Sequence, residues 1–300
     1  MTLSLFILFL EQGVASGLVM GSVYALLALA IVIIFKTSEA PNFAQGDMMM
    51  GAAYVALYLL VFRKAPPIVA IPLTIVVAFV VAALFRGLVL AKVAKSSGSP
   101  VNLVIATLGF SYVLRGLVRG AGVGDTPRTF PPLASTDSIM IDQASVTILD
   151  LVIFGAALLT MAGFFWMFAY TKLGRAMRAV GMNPKAAQLV GVNIGRIHML
   201  VWGLSGVISA IAALLISPKI LMTADMGSIV TLGFAAAIIG GFNSLPGAVV
   251  GGFVIGVSEN LVGLFISSRA IVVAPFVAIM LVLIVRPQGL FGGRTSIKKV

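Results

Sequence analysis

The chain has 300 residues, 60% hydrophobic and only 10% charged, against roughly 25% charged residues in ordinary soluble domains. That composition excludes a water-soluble fold and, with apolar stretches from end to end, leaves no room for a separate soluble domain of normal size. The net charge of +11 punctuates apolar runs rather than forming a patch, which removes nucleic acid as a partner, and zero cysteines with a single histidine exclude disulfides and thiol or multi-histidine metal sites.

In chain order, Met1 to Leu10 is apolar but has neither the basic start nor the small-residue cleavage site of a secretory signal, so it reads as retained. Uncharged runs follow at Gln12 to Phe35, Ala65 to Phe85, Ser96 to Leu114, Leu151 to Thr171 and Ile197 to Pro218. Each is close to the about 20 residues that cross a bilayer core. Met48 to Phe62 is shorter, and makes a crossing if the segment from Asn42 enters the membrane as broken helix or loop. The stretch after Asp225, uncharged to Ser258, is too long for one crossing, and Asn243-Ser244-Leu245-Pro246-Gly247 divides it with turn residues. A last segment near Ile271 to Val285 stops at Arg286-Pro287-Gln288-Gly289. The expectation is an all-α polytopic membrane protein of about 8–9 transmembrane segments with broken or re-entrant helices, forming one domain over residues 1–300.

Lys and Arg favour cytoplasmic loops. Nine crossings from an outside N-terminus put Lys36, Arg86, Lys92, Lys95, Lys172, Arg175, Arg178, Lys185, Arg196, Arg286, Arg294, Lys298 and Lys299 inside, leaving seven of the 20 basic residues outside. The 120–146 connection, with Asp125, Asp137, Asp142 and only Arg128, then lies outside, and the C-terminus is cytoplasmic. Trp166 and Trp202 fall near the inner face, as interfacial belt residues do.

The absences narrow the chemistry. There is no Gly-Lys-Ser or Gly-Lys-Thr phosphate loop, no His-Glu-x-x-His zinc motif and no assembled nucleophile elbow, so neither ATP binding, a resident cofactor, a metal site nor a catalytic residue is expected in this chain. The 28 residues from Thr171 to His198 are basic, mostly helix-forming and too long for a turn. Asn183-Pro184 reads as N-cap and first helical position of a short helix from Lys185 to Val190 that Gly191 ends. Such a helix on the inner face docks a soluble partner or lies on anionic lipid. A second signal is Ala40-Pro41-Asn42-Phe43-Ala44-Gln45-Gly46-Asp47-Met48, polar and turn-forming between apolar spans, a costly placement unless it lines a cavity or packs on protein.

These segments carry a resemblance. Lys185-Ala186-Ala187-x-x-x-Gly191 resembles the Glu-Ala-Ala-x-x-x-Gly coupling segment of ATP-binding-cassette (ABC) importer permeases, with Lys185 in place of Glu. Asn42-Phe43-Ala44-Gln45-Gly46-Asp47 resembles the signature of branched-chain amino acid importer permeases. The stretch from Gly240 to Gly252 is similar to that family's Gly-Gly-x-Gly-Ser-x-Pro-Gly-Ala-x-x-Gly-Gly, with Phe242-Asn243 as its departure. The likeness spans roughly Gly13 to Gly289 and favours the first of the two paired subunit types. It implies an ABC importer permease fold, a homologous second permease in a heterodimer, two ATPase subunits, an extracytoplasmic substrate-binding protein and a place in the bacterial cytoplasmic membrane, among lipid. It also implies that Gly174, Arg175, Arg178, Pro184, Ala186, Ala187 and Gly191 serve ATPase coupling.

For the translocation pathway the expected residues are Asn42, Phe43, Gln45, Asp47, Asn243 and Glu259. Asp47 also reads as a first-turn acid that compensates a helix dipole, and Glu259 as an outer-interface residue instead of an intramembrane one. Arg115 and Arg119, four apart, share a helix face and are expected to snorkel at the outer interface, while His198 reads as interfacial rather than catalytic. Two rivals stand beside the importer: an ion-coupled secondary transporter or channel using the breaks near Asn42 and Asn243 as its own site, and a membrane enzyme, for which no acid, base or metal constellation is present. Urea and short amides are the alternative cargo.

Overall fold

The computed structural model describes residues 3–38, 40–97, 99–141 and 144–292, so Asp142, Arg294, Lys298 and Lys299 lie outside the described residues. The elements in chain order are α1 (Leu3–Ser38), α2 (Gln45–Leu57, prolonged by a π-helical turn over Tyr58–Phe62), α3 (Pro67–Leu84), α4 (Ala91–Ser97), α5 (Pro100–Gly120), β1 (Ser138–Ile141), β2 (Ala144–Thr147), α6 (Ile148–Tyr170), α7 (Lys172–Met182), α8 (Pro184–Leu189), α9 (Ile194–Ile216), α10 (Val230–Gly240), α11 (Leu245–Phe265) and α12 (Ala274–Val285). Among the described residues seven stretches are long and apolar enough to cross a membrane, and Met226–Gly240 and Ala270–Val285 are shorter apolar helices. The expected polytopic helical fold is what the chain adopts.

α1 is the axis of the bundle. From Val23 to Ile34 no residue is more than 3% exposed, the state of a helix that is apolar all round and enclosed by protein. α11 runs antiparallel along it, and glycine sets the distance. A Cβ on Gly256 would lie 2.3 Å from Gly21 Cα, one on Gly252 2.4 Å from Ala25 Cα, and one on Gly17 2.7 Å from Val257 Cα. Small residues four apart on both helices let the backbones touch, which matters where lipid tails are as apolar as the side chains and burial alone brings no two helices together. α11 carries a second seam, where Gly247 and Gly251 meet Gly240 and Ala236 of α10; added Cβ atoms there would sit 2.3 and 2.0 Å from carbonyl oxygens. α9 packs on α1 and α2, and its Gly203 and Gly206 receive Phe79 and Ala78 of α3.

Cross-contacts sort the loops to two ends. At one end Lys36 Nζ donates to the Asn243 carbonyl at 3.2 Å, His198 Nε2 lies 3.0 Å from the Thr37 carbonyl, and Leu290 N–H donates to the Ile239 carbonyl at 2.7 Å. At the other, Gln12 is hydrogen bonded to Ser145, Lys219 is paired with Asp150 at 2.5 Å, and Arg128 and Met222 exchange backbone hydrogen bonds. Asp150 also closes a reciprocal cap with Thr147 that starts α6.

Several boundaries differ from expectation. α5 continues past Leu114 to Gly120 because Arg115 and Arg119 find acidic partners and need not end the helix. α9 begins at Ile194, so the connection between α6 and α9 spans Thr171 to Asn193 and His198 lies within the helix. There its Nδ1 accepts from Arg86 Nη2 at 2.8 Å, which leaves the proton on Nε2 for the Thr37 carbonyl. The 120–146 connection contains most of a two-stranded antiparallel hairpin, β1 with β2, in which Ile139 faces Val146. Trp202 is not a belt residue: it is 3% exposed and packs against Phe85 at 5.8 Å between ring centroids, whereas Trp166 is exposed.

The α1–α11 seam yields the first prediction. Gly256→Leu drives a side chain into Gly21 backbone and should cost about 1–3 kcal/mol or more, read as a fall in the thermal midpoint of the detergent-purified chain. Gly155→Leu, at an α6 position where an added Cβ meets nothing within 4 Å, should leave the midpoint nearly unchanged. Equal effects of the two would sink the seam as the packing constraint.

Candidate translocation site

Residues 40–44 leave the helical state between α1 and α2, at the level of the middle of α9. Asn42 organises that break. Its Oδ1 accepts the Ala44 N–H at 3.0 Å and its Nδ2 donates to Gln45 Oε1 at 2.9 Å, a local side-chain substitute for the missing helical bonds. Gln45 Nε2 donates to Ser209 Oγ, and Ser205 Oγ stands 2.9 Å from Gln45 Oε1 and 3.1 Å from the Ala30 carbonyl, so its single proton serves one of them at a time. Asn42 and Gln45 are both fully buried. Their polar atoms are spent on holding the turn, so the geometry gives them a positioning role.

Asp47 follows in the first turn of α2, 2% exposed. It accepts from Ser111 Oγ and from Arg115 Nε at 2.6 Å, with Arg115 Nη2 a further 3.4 Å from Oδ2. Arg115 Nη1 is 3.9 Å from Asp225 Oδ1, and Arg119 Nη2 is 3.1 Å from both oxygens of Asp225. The two arginines therefore share a face of α5 as expected, but Arg115 does not simply snorkel. It neutralises a carboxylate that would otherwise be unpaired at membrane depth. Thr107, Ser111, Arg115 and Arg119 fall four apart and make a polar edge along α5, with Thr107 Oγ1 accepting the Phe43 N–H at 3.3 Å. Phe43 is exposed and stacks on Phe234 of α10 at 5.2 Å.

A second break packs on the first. Residues 220–225 and the 3-10 turn Met226–Ile229 precede α10. A Cβ on Gly46 would lie 1.9 Å from the Gly227 carbonyl oxygen, and one on Gly227 would lie 2.7 Å from Asp47 Oδ1. Only glycine fits at either position. Asn243 and Glu259 are not brought to this place: Asn243 lies in the exposed turn before α11 beside Lys36, and Glu259 stands on α11 near Tyr24, its Oε2 without a hydrogen-bond partner among the described residues.

The segment from α6 to α9 folds as two helices. Thr171 caps α7 by accepting the Gly174 N–H at 3.1 Å, and Asn183 Oδ1 caps α8 by accepting the Ala186 N–H at 3.1 Å, with Pro184 at its first position. Gly191, at φ +87°, ends the turn as only glycine does readily. A Cβ on Gly174 would lie 2.1 Å from the Phe168 carbonyl oxygen, and Gly181 touches the Lys36 carbonyl. Arg175 donates to the Tyr170 carbonyl at 3.2 Å, while Arg178 donates to the Phe168 and Ala169 carbonyls and lies over the Phe168 ring. Both arginines thus tie α7 to the end of α6. Ala187 is buried, Ala186 and Pro184 are exposed, and Met182, Leu189 and Val190 are 84%, 89% and 78% exposed.

Sequence reasoning reached Asn42, Gln45 and Asp47 but missed Ser111, Ser205, Ser209 and Asp225 as their partners. The four-residue recurrence of polar groups from Thr107 to Arg119 is the signal that was available for α5.

The model of a family described as the branched-chain amino acid transport system / permease component matches residues 13–285. The chain is 29% identical over 311 residues to the high-affinity branched-chain amino acid transport system permease protein LivH of Salmonella typhimurium, covering 98% of this chain and 99% of that one. It is also 29% identical over 266 residues to a probable branched-chain amino acid transport permease protein LivH of Methanocaldococcus jannaschii, covering 86% and 83%. To the BraD permease protein of Pseudomonas aeruginosa it is 27% identical over 301 residues, covering 96% and 97%. Among solved structures, PsaBC from Streptococcus pneumoniae in complex with Fab is similar with a TM-score of 0.51 over 93% of this chain and 92% of that one, at 14% identity, a likeness of fold alone. With the family match running from α1 to the end of α12, this chain belongs to the permease components of branched-chain amino acid transport systems.

Proposed function

We propose that this chain is the membrane-spanning permease subunit of an ATP-driven importer that carries branched-chain or similar amino acids across the bacterial cytoplasmic membrane. ATP is hydrolysed by two partner subunits, a homologous second permease completes the passage, and an extracytoplasmic binding protein delivers cargo. The observation that carries the reading, in a chain of this family, is the α7–α8 segment. It is a pair of capped helices with Met182, Leu189 and Val190 exposed, and Lys185 exposed among them. Exposed apolar side chains in such a group mark a docking surface, and α8 is the contact through which ATPase closure reaches the membrane. The N-terminus lies outside and the C-terminus inside, as the distribution of basic residues favours. We place Phe43 and Asp47 on the passage, with Asn42 and Gln45 acting behind it, and give Asn243 and Glu259 no part in the break itself. No observation favours the secondary transporter or urea as cargo.

Three outcomes are expected. First, ATPase subunits should co-purify with the tagged chain and be lost at least tenfold from Leu189→Asp/Val190→Asp, whose side chains are exposed and leave the fold untouched. Retention by the variant removes α8 as the docking point, and transport by the pure chain alone replaces the importer with the secondary transporter. Second, single cysteines introduced at Ser138 and Gln188 should react with an impermeant maleimide from opposite faces, Ser138→Cys from outside; labelling from one face would overturn the topology.

Third, Asp47→Asn should lower stability by roughly 2–3 kcal/mol. This is less than the about 3–5 of a fully buried broken pair, because Arg115 is 30% exposed. Adding Arg115→Gln should recover part of the loss in thermal unfolding. Additive losses would show that the pair is not coupled.

A further inference from the structure

The last carbonyls of a helix have no partner within it, and at the C-terminal end of α1 they are met in different ways. Thr37 Oγ1 stands 3.1 Å from both the Ile33 and the Ile34 carbonyl, and Ser38 Oγ donates to the Ile34 carbonyl at 2.8 Å. The Lys36 carbonyl lies against α7, where a Cβ on Gly181 would sit 2.7 Å from its oxygen. The Thr37 carbonyl is taken from a different element, by His198 Nε2 of α9 at 3.0 Å, and His198 Nδ1 in turn accepts from Arg86 Nη2 at 2.8 Å. Two successive carbonyls of α1 thus meet α7 and α9.

Packing does not explain the charge of Arg86. It is half-buried, His198 is its hydrogen-bond partner, and no carboxylate pairs with it among the described residues. A desolvated cation without a counter-ion is costly, and a neutral side chain would fill the place at less cost. What the guanidinium does is fix its neighbour. It is a donor only, so His198 presents a lone pair at Nδ1 and keeps its proton on Nε2, aimed at Thr37. Arg86 sits in the π-helical stretch Phe85–Leu90, a rare local form that recurs at functional positions. Beside it Gly87 lets α9 come close, an added Cβ there lying 3.2 Å from Met199 Cε.

Between this pair and the first break the protein is not filled. A cavity of about 190 Å³ is lined by Ser38, Ala40 and Pro41 and by Arg86, His198 and Trp202, among others. Apolar packing therefore does not hold the chain leaving α1 on that side, and the bond from His198 to Thr37 stands at the edge of the space. We propose that Arg86 and His198 are positioning residues for transport. Arg86 holds His198 in one tautomer, His198 ties the end of α1 to α9, and movement of α7 against Lys36 is delivered to the first break instead of being lost into the hollow. The inference rests on the importer reading and adds to it the residues that keep ATP hydrolysis coupled to movement of cargo.

The test is ATP-driven uptake of L-leucine into vesicles holding the full importer, with hydrolysis stimulated by loaded binding protein followed in parallel, so that leucine carried per ATP is the readout. His198→Leu, which keeps an apolar volume and loses both bonds, should cut that ratio about fivefold while stimulated hydrolysis stays within about twofold of wild type. His198→Gln should restore most of the ratio, because its Oε1 can accept from Arg86 and its Nε2 can donate to the Thr37 carbonyl. Arg86→Met, which frees the tautomer and leaves the Thr37 bond possible, should cut the ratio about threefold. It carries the test where His198→Leu fails to assemble. The double variant Arg86→Met/His198→Leu should be no worse than His198→Leu alone, since both act on one link. Residues that only support the fold would lower hydrolysis and uptake together; an unchanged ratio in His198→Leu and Arg86→Met overturns the proposal and leaves the importer standing. So does a His198→Gln variant that performs no better than His198→Leu. No ATP-dependent leucine uptake by the wild-type assembly removes the importer reading and the positioning role with it.

Discussion

A backbone that leaves the helix inside hydrocarbon costs several kcal/mol for each amide or carbonyl left without a partner, and this chain leaves the helix beside the middle of α9 and again before α10, with the two breaks packed on each other. The first break, before α2, is closed by Asn42 and Gln45 reaching Ala44, Ser205 and Ser209. The second, before α10, is set against the first through Gly46 and Gly227, whose backbones touch. Each break supplies surface for the other, so neither could be straightened or filled without exposing the other's polar groups. The rest of the bundle surrounds that meeting point with apolar helices.

The charge at this place follows from the same constraint. A helix that starts in the interior of the bundle presents the positive end of its dipole there, and Asp47 in its first turn compensates that charge. An acid there needs a cation, which fixes Arg115 on α5 and, one turn on, Arg119 with Asp225 on the second break. The chain of ion pairs runs from a buried pair to an exposed one. The outer, exposed pair is worth little, on the order of 0–1 kcal/mol, while separating the inner one is expensive. Motion between α5 and the second break is therefore cheap at the surface and resisted at depth.

Much of this was legible in the sequence, and the exceptions have physical causes. Long uncharged runs located the spans, and the Asn183-Pro184 start with the Gly191 stop placed α8 because caps are local chemistry. The same uncharged-run rule ended α5 too early, since it treats a charge as leaving the membrane and cannot see that Asp47, 68 positions away, neutralises Arg115. Trp202 was misplaced for a similar reason: belt statistics describe lipid-facing indoles, and this one is buried against Phe85, just past α3, which in turn stacks on Phe110 of α5. Nothing local in the sequence sets Gly46 against Gly227, a contact that only the fold brings about. The pairing of Arg128 with Met222 left no sequence signal, because it joins two loops that are distant in the chain.

The contacts between α8 and the break also form a continuous series. α8 follows α7 directly, and α7 rests on α1 where Gly181 meets the Lys36 carbonyl with room for nothing larger. One residue further, the Thr37 carbonyl receives His198, which Arg86 holds from the segment after α3. Beyond Ser38 the chain enters the first break. Spatial adjacency alone is not coupling, but the glycine contact makes the series stiff where a side chain would have let it yield. A push on α8 thus bears first on the last turn of α1, where Gly181 meets the Lys36 carbonyl. The turn it displaces leads within a few residues to Asn42 and Asp47, where the cost of motion is set by hydrogen bonds that can re-form with Ser205, Ser209 and Ser111 rather than by packed apolar volume that cannot.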